Sequence, residues 1–344
     1  MNFGDPTPRP MLGSTTEGEL TMRSRILQVT CGCVLALTCA ASAFADTFKA
    51  GLLTEGSATE SGWNKIAYSA LQRIGEELDA EISNVEMEAN PASFRKAFED
   101  YAALGYDVVI GHGFQFKDAA LEAAAEFPDT VFLITSSDVF EGNVVGVNLN
   151  TFQPFFLMGV IAASRGDKAG YIGGVEIPPI TNALTGFRNG TKYVNPDFKV
   201  LEVMTGSWND LAAAKEAALS MISNGADTIV PNANISALGA FQAVTEHPGI
   251  VAFGTFGDYT DKAPQQILGN YTPDLSQGFL NIAREIKEGR FAPDANILFG
   301  LEHEDVVILQ FNDGAEEPVS EEMRAELAKI KAKLISGEID PTVP

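Results

Sequence analysis

From residue 46 onward the chain alternates short β-branched runs with segments of helical apolar periodicity, and few folds accept that alternation. Strands and helices in this order bury their apolar faces when helices wrap both sides of a parallel sheet. "FKAGLLTE" (48–55) is expected to be the first strand. After it, Ile66, Ala70, Leu71, Ile74 and Leu78 fall at helical spacing, which gives an amphipathic helix with one buried stripe. "YDVVIGHG", "TVFLITSS" and "NVVGVNLN" follow as strands, with helices near 91–103 and 116–126; Pro91 suits a first helical turn.

A second series begins after a helix near 154–165. Strands are expected at "AGYIGG", "KVLEVMTG", "ADTIVPNA" and "GIVAFGTF", and helices near 181–194, 209–223 and 235–246. The two series share a junction. "LGYDVVI" (104–110) and "NGADTIV" (224–230) each place a glycine at a helix end, then an aspartate, then a buried strand. This weak repeat implies an α/β chain of two Rossmann-like lobes of one doubly wound design. No flexible Gly/Ser linker separates them, so several short crossings should act as the hinge. Residues 46–150 with about 260–290 are assigned to one lobe, and 151–259 with about 291–344 to the other.

The first 45 residues read as an export signal. Arg23 and Arg25 precede the apolar stretch Ile26 to Ala41, and Ala43-Phe44-Ala45 forms a small-residue cleavage pattern. Met22 is a candidate start, which would make residues 1–21 an upstream extension. The stretch is short for a membrane span and is interrupted by Cys31, Gly32, Cys33, Thr38 and Cys39. All 3 cysteines lie there, so the body has no thiol, as suits an oxidising compartment. Thr38 before Cys39 disfavours a lipoprotein anchor, leaving a soluble periplasmic product, expected as a monomer. A net charge of −23 argues against nucleic acid or an anionic membrane surface as partner.

Catalytic chemistry has little support in the body. His112, His247 and His303 are far apart, without the spacing of a metal site, so no metal or cofactor is expected. "GHGFQF" lacks the third glycine and the lysine of a phosphate loop and reads first as a tight strand-to-helix turn, with a ligand-contacting turn as the alternative. The carboxylates of "GDYTD" (257–261) read as a solvated loop, and the Asn189 sequon falls inside an expected helix. The chain is not expected to be an enzyme.

Binding has better support. In doubly wound sheets ligands sit at the carboxyl ends of strands. Here those ends are Thr54–Trp63, His112–Phe116, Ser136–Asp138, Ser207–Asn209, Asn232–Asn234 and Phe256–Asp258. Both tryptophans of the chain, Trp63 and Trp208, fall among them and lack apolar sequence neighbours. Two such rings from opposing lobes can close on the faces of a flat ligand, each stack contributing roughly 1–3 kcal/mol. The alternative is ordinary packing beside helix N-termini. Asn64 and Asn209 read as helix caps or ligand partners, capping being the commoner role.

These segments resemble the Bmp (basic membrane protein) family of ABC-transporter substrate-binding proteins. "GLLTEGSATESGWNKIAYSAL" is similar to the family's opening strand and helix, and "GHGFQFKDAALEAAAEFPDTVFLI" to its G-x-G-F segment. "GFRNGTKYVNPDFKV", "GSWNDLAAAKEAALSMISNGADTIV" and "LISGEIDPTVP" continue the match in order. The resemblance implies a type I periplasmic-binding-protein fold, a ligand clamped in the cleft, and an inner-membrane permease and ATPase as partners. Nucleoside-binding members sandwich the base between aromatics, which implies that role for Trp63 and Trp208.

The polar set departs from the family pattern. Its base-binding aspartate corresponds to Ser136, its ribose-binding aspartate to Phe256, its lysine to Pro273, and its glycine-rich loop to "NANISALG". Sugar hydroxyls buried without partners cost about 1–3 kcal/mol each. A free purine or related nucleobase is therefore expected in preference to a nucleoside. Asn64, Ser136, Asn232, Asn234 and Asp258 are candidates for its edges, with Glu55, Thr54, Phe114 and Phe256 beside them. Two rival readings keep this fold: a sensory protein reporting ligand to a membrane receptor, and a periplasmic enzyme, which would turn its ligand over.

Overall fold

The computed structural model of the protein describes residues 47–58, 63–88 and 90–343. The expected export signal lies outside the described residues. The first sheet contains β1 (Lys49–Glu55), β2 (Glu81–Met87), β3 (Val108–Gly111), β4 (Val131–Thr135), β5 (Phe140–Glu141) and β6 (Val144–Leu149), with β12 (Ile297–Phe299) added late. Its order is β12-β6-β4-β3-β1-β2, parallel throughout, with β5 antiparallel to β6. The second sheet contains β7 (Lys168–Gly173), β8 (Lys199–Met204), β9 (Thr228–Asn232), β10 (Val251–Thr255), β11 (Ile267–Tyr271) and β13 (Leu309–Phe311). Its order is β13-β11-β10-β9-β7-β8, with only β13 antiparallel.

Helices cover both faces of each sheet. α1 (Trp63–Leu78), α2 (Pro91–Ala103) and α3 (Lys117–Ala124) follow strands of the first sheet. α4 (Phe152–Arg165) leads into the second, where α5 (Pro178–Val194), α6 (Leu211–Ser223) and α7 (Ala237–Thr245) follow. α1 buries Ala67, Ala70, Leu71, Ile74 and Leu78, the expected stripe except that Ile66 is only partly covered. Asn90 caps α2, its side chain accepting from the amides of Ala92 and Ser93, with Pro91 in the first turn.

The chain crosses between the sheets three times, after β6, after β11 and after β12. These crossings bond to one another. The amide of Asn150 donates to Phe299 O (2.8 Å), that of Thr272 to Ile308 O (2.9 Å) and that of Asp274 to Val306 O (2.8 Å). β11 belongs to the second sheet, whereas the sequence division gave 260–290 to the first. The return to the first lobe begins only with α8 (Leu275–Lys287), which packs on α1, and ends with β12. α9 (Glu321–Ser336) then packs on α4. One apolar cluster joins the lobes, running from Leu52 and Val108 through Phe155 to Tyr171 and Tyr271.

The repeated junction is structural. Gly105 (φ +74°) and Gly225 (φ +87°) end α2 and α6 in the left-handed region that favours glycine. The next amides, of Tyr106 and Ala226, reach back to Tyr101 O (3.2 Å) and Met221 O (3.0 Å). Lys49 Nζ donates to Leu104 O (3.2 Å) and Lys168 Nζ to Asn224 O (2.5 Å), so each lobe's first strand ties down the corresponding helix end.

Candidate ligand-binding site

Trp63 opens α1, and its ring stacks on the imidazole of His112 with centroids 4.5 Å apart and planes 23° from parallel. The indole remains 37% exposed, so it is not a core residue. His112 follows β3 and is buried. Its Nε2 lies 3.1 Å from the carbonyl oxygen of Trp63, and its Nδ1 lies 3.3 Å from Thr135 Oγ1. A carbonyl only accepts, so Nε2 carries the hydrogen and Nδ1 accepts from the threonine hydroxyl. Burial pushes the imidazole pKa down to about 4, the Trp63 carbonyl bond offsetting part of the effect. The ring is therefore neutral at physiological pH.

Asn64 does not cap α1. Its side-chain amide donates to the carbonyl oxygens of Glu55 (2.8 Å) and Ser57 (3.2 Å), tying the helix start to the loop after β1. The Glu55 carboxylate accepts from Gln115 Nε2 (3.0 Å), in the turn that carries Phe114, itself 68% exposed. Thr54 is fully buried and donates to Gly56 O (3.0 Å), so it shapes the loop. Glu55, Trp63, Asn64, His112 and Phe114 thus belong to one connected edge of the first lobe.

On the second lobe Trp208 lies half-buried across Gly174, just past the end of β7. A Cβ at Gly174 would come within 2.4 Å of the indole, so only glycine lets the ring lie this close. The Trp208 carbonyl accepts from the Ser236 amide (3.0 Å). Capping of α6 falls to Asp210, whose carboxylate accepts from the Ala213 amide (3.0 Å), and Asn209 is exposed beside it. Asn232 is buried and donates to Tyr171 Oη (2.9 Å), which donates to Ile180 O (2.9 Å). That amide nitrogen supports the strand end.

Backbone strain gathers at the strand ends. Ser136 (φ +56°), Asn234 (φ +53°) and Phe256 (φ +57°) are left-handed non-glycine residues, each costing on the order of 1–3 kcal/mol. Ser136 follows β4 and Phe256 follows β10, equivalent places in the two lobes. The Phe256 ring meets Tyr271 edge-on at 5.1 Å. Asp258 accepts from the Thr260 amide (2.9 Å) and from Asn270 Nδ2 (3.0 Å). The Thr260 backbone bond, then its hydroxyl, holds the Asp258 carboxyl below the usual carboxylate range. One of its oxygens therefore braces the loop.

Sequence reasoning set His112 in a strand-end segment without choosing it as a candidate site residue, and it passed over Gly174. "GHG" at a strand end marked a turn, and the burial of its histidine beneath a distant tryptophan has no local signal. No ring contact joins Trp63 to Trp208 among the described residues. None of the described residues forms a group of three or more His, Cys, Asp or Glu able to hold a metal, and no described helix is long and apolar enough to cross a membrane.

Residues 47–340 match the family model described as ABC transporter substrate-binding protein PnrA-like. The chain belongs to this family, Bmp. Basic membrane protein A of Borreliella burgdorferi is 29% identical over 85% of this chain and 86% of its own length. A purine-binding protein of Brucella abortus is 26% identical over 86% of this chain and 83% of its own. Among solved structures, an ABC-transporter solute-binding protein from Conexibacter woesei superposes with a TM-score of 0.66 at 24% identity, covering 87% of this chain and 99% of that one. The fold is that of the type I periplasmic binding proteins, and this Bmp protein is an ABC-transporter solute-binding protein.

Proposed function

We propose that this protein is the exported, monomeric, periplasmic receptor of an ABC importer for a flat heteroaromatic ligand, a free purine or related nucleobase in preference to a nucleoside. Trp63 and Trp208 are the clamp. The observation that carries the reading is that each indole sits at a strand-end edge of its own lobe with one face already supported, by His112 and by Gly174. Each ring is thus prepositioned for a ligand to stack against, and ligand favours the closed form because only there do both lobes touch it. The purine-binding relative supports a purine-like ring.

The second lobe's strand ends favour a base over a sugar-bearing ligand. Phe256 offers an aromatic edge where ribose would need an acceptor, and Asp258 has one oxygen committed to its own loop. Ser136 and Asn234 are the candidates for the ligand's polar edge, with Asn232 buried at the end of β9. Titration calorimetry with adenine, hypoxanthine, inosine and adenosine tests this. The free bases should bind and the nucleosides bind at least tenfold more weakly, a difference of about 1.4 kcal/mol. Equal or tighter nucleoside binding would refute the preference. Trp63→Ala and Trp208→Ala should each weaken adenine binding by about 1–3 kcal/mol without loss of folding.

A further inference from the structure

We infer that His112 is a positioning residue that fixes the Trp63 ring, holding it both by its backbone and by its face. Its relevance to ligand rests on Trp63 being one side of the clamp. The same imidazole makes two different contacts with the one residue. Its face carries the indole at 4.5 Å, and its Nε2–H donates to the Trp63 carbonyl oxygen at 3.1 Å. One side chain thereby fixes the start of α1 and the ring projecting from it. An indole left to rotate would lose rotamer freedom on stacking, and that cost is removed when it is held beforehand.

The imidazole is itself held. The His112 amide donates to Leu53 O at 2.9 Å, Thr135 Oγ1 lies 3.3 Å from Nδ1, and the residue is 1% exposed. The neutral tautomer with hydrogen on Nε2 satisfies both ring nitrogens at once. Protonation would add a hydrogen at Nδ1, oblige the Thr135 hydroxyl to turn and accept, and place a charge beneath the indole. The charged side chains on the surrounding elements are Lys49 and Glu55 on β1, Lys65, Arg73, Glu76 and Glu77 on α1, Lys117, Asp118 and Glu122 on α3, and Asp138 beyond β4. None bonds the ring, and burial dominates its titration. The support is therefore built for a neutral imidazole and gives way in acid.

Two measurements on the full protein test this. Trp208→Phe leaves Trp63 as the only tryptophan of the 2 in the chain, so its emission reports on that ring alone. Without ligand, emission between pH 7.5 and 3.5 should change with a midpoint near 4, the pKa to which burial lowers His112. That transition should vanish when His112→Phe is added. Adenine affinity at pH 7.5 should fall roughly fivefold in His112→Phe, and by less than about twofold when Trp63 is already alanine, since coupled residues are not additive. His112→Gln, which keeps a donor for the carbonyl, should recover part of the loss and serves if the phenylalanine variant does not fold. Unchanged affinity in His112→Phe, an equal loss in the Trp63→Ala background, or a Trp63 emission profile indifferent to His112 would overturn the inference. If the parent protein bound no purine, the ligand reading would fail while the ligand-free emission still decided the His112–Trp63 coupling.

Discussion

Trp63 rests on the imidazole of His112, whereas Trp208 rests on the backbone of Gly174. The lobes are repeats, down to the lysine that ties each helix end, yet their aromatic edges are built differently. In the first lobe a helix must bring the tryptophan to a buried side chain from another strand, so its support is tertiary and titratable. In the second, the tryptophan follows β8 and lies over the end of the adjacent β7, so its support is backbone and has no charge to change. The proposed clamp, with one titratable and one inert face, should lose its first side before its second as pH falls.

The largest expected effect bears on that titratable side. Burial holds the His112 pKa near 4, below its ordinary value of 6.5, so the unfolded chain takes up the proton first. The contribution of neutral His112 to stability is complete above pH 6.5 and is lost as pH falls towards 4, by about 3 kcal/mol. Urea unfolding of the parent and of His112→Phe at pH 7.5 and pH 4 should show the parent losing that much more. Parallel losses would remove the distinction between the two edges. Next comes the inert side. Gly174→Ala would place a Cβ 2.4 Å from the Trp208 indole, and the displaced ring should weaken adenine binding by about 1–2 kcal/mol at every pH. Unchanged calorimetric affinity would mean that the contact does not set the ring's place.

The smallest effect concerns the crossings between the two sheets. Tyr271, at the end of β11, has a buried hydroxyl without a hydrogen-bond partner among the described residues. Burial raises its pKa far above the usual phenol value. Tyr271→Phe removes a desolvated group rather than a bond, so thermal stability should stay within about 0.5 kcal/mol of the parent or rise by up to about 1 kcal/mol. A clear loss would reveal a partner for that oxygen.

Much of the fold was legible because its signals are local. The α1 stripe, Pro91 at a helix start and the paired glycine-aspartate junctions each depend on a few adjacent residues, and each appears in place. β2 was missed because "EISNVEM" is an edge strand with half-exposed faces, so it carries no apolar run. β11 was placed with the wrong lobe because its five residues are buried wherever they pair, and the crossings alone decide which sheet receives them. Asn209 was a reasonable cap, but one more residue outside the helix carries that role to Asp210.

The sequence by itself determined the alternation of strands and helices, the two-lobed repeat, the family, and the positions of both tryptophans at strand ends. These follow from periodicity, turn chemistry and motif order, which adjacent residues encode. Tertiary structure decided what stands beneath each indole, which asparagines are already spent on the scaffold, and that His112 is neutral. Those depend on residues far apart in the chain, such as Trp63 and His112, meeting where water is excluded. Burial and hydrogen-bond partnership are properties of that meeting, and no single segment carries them.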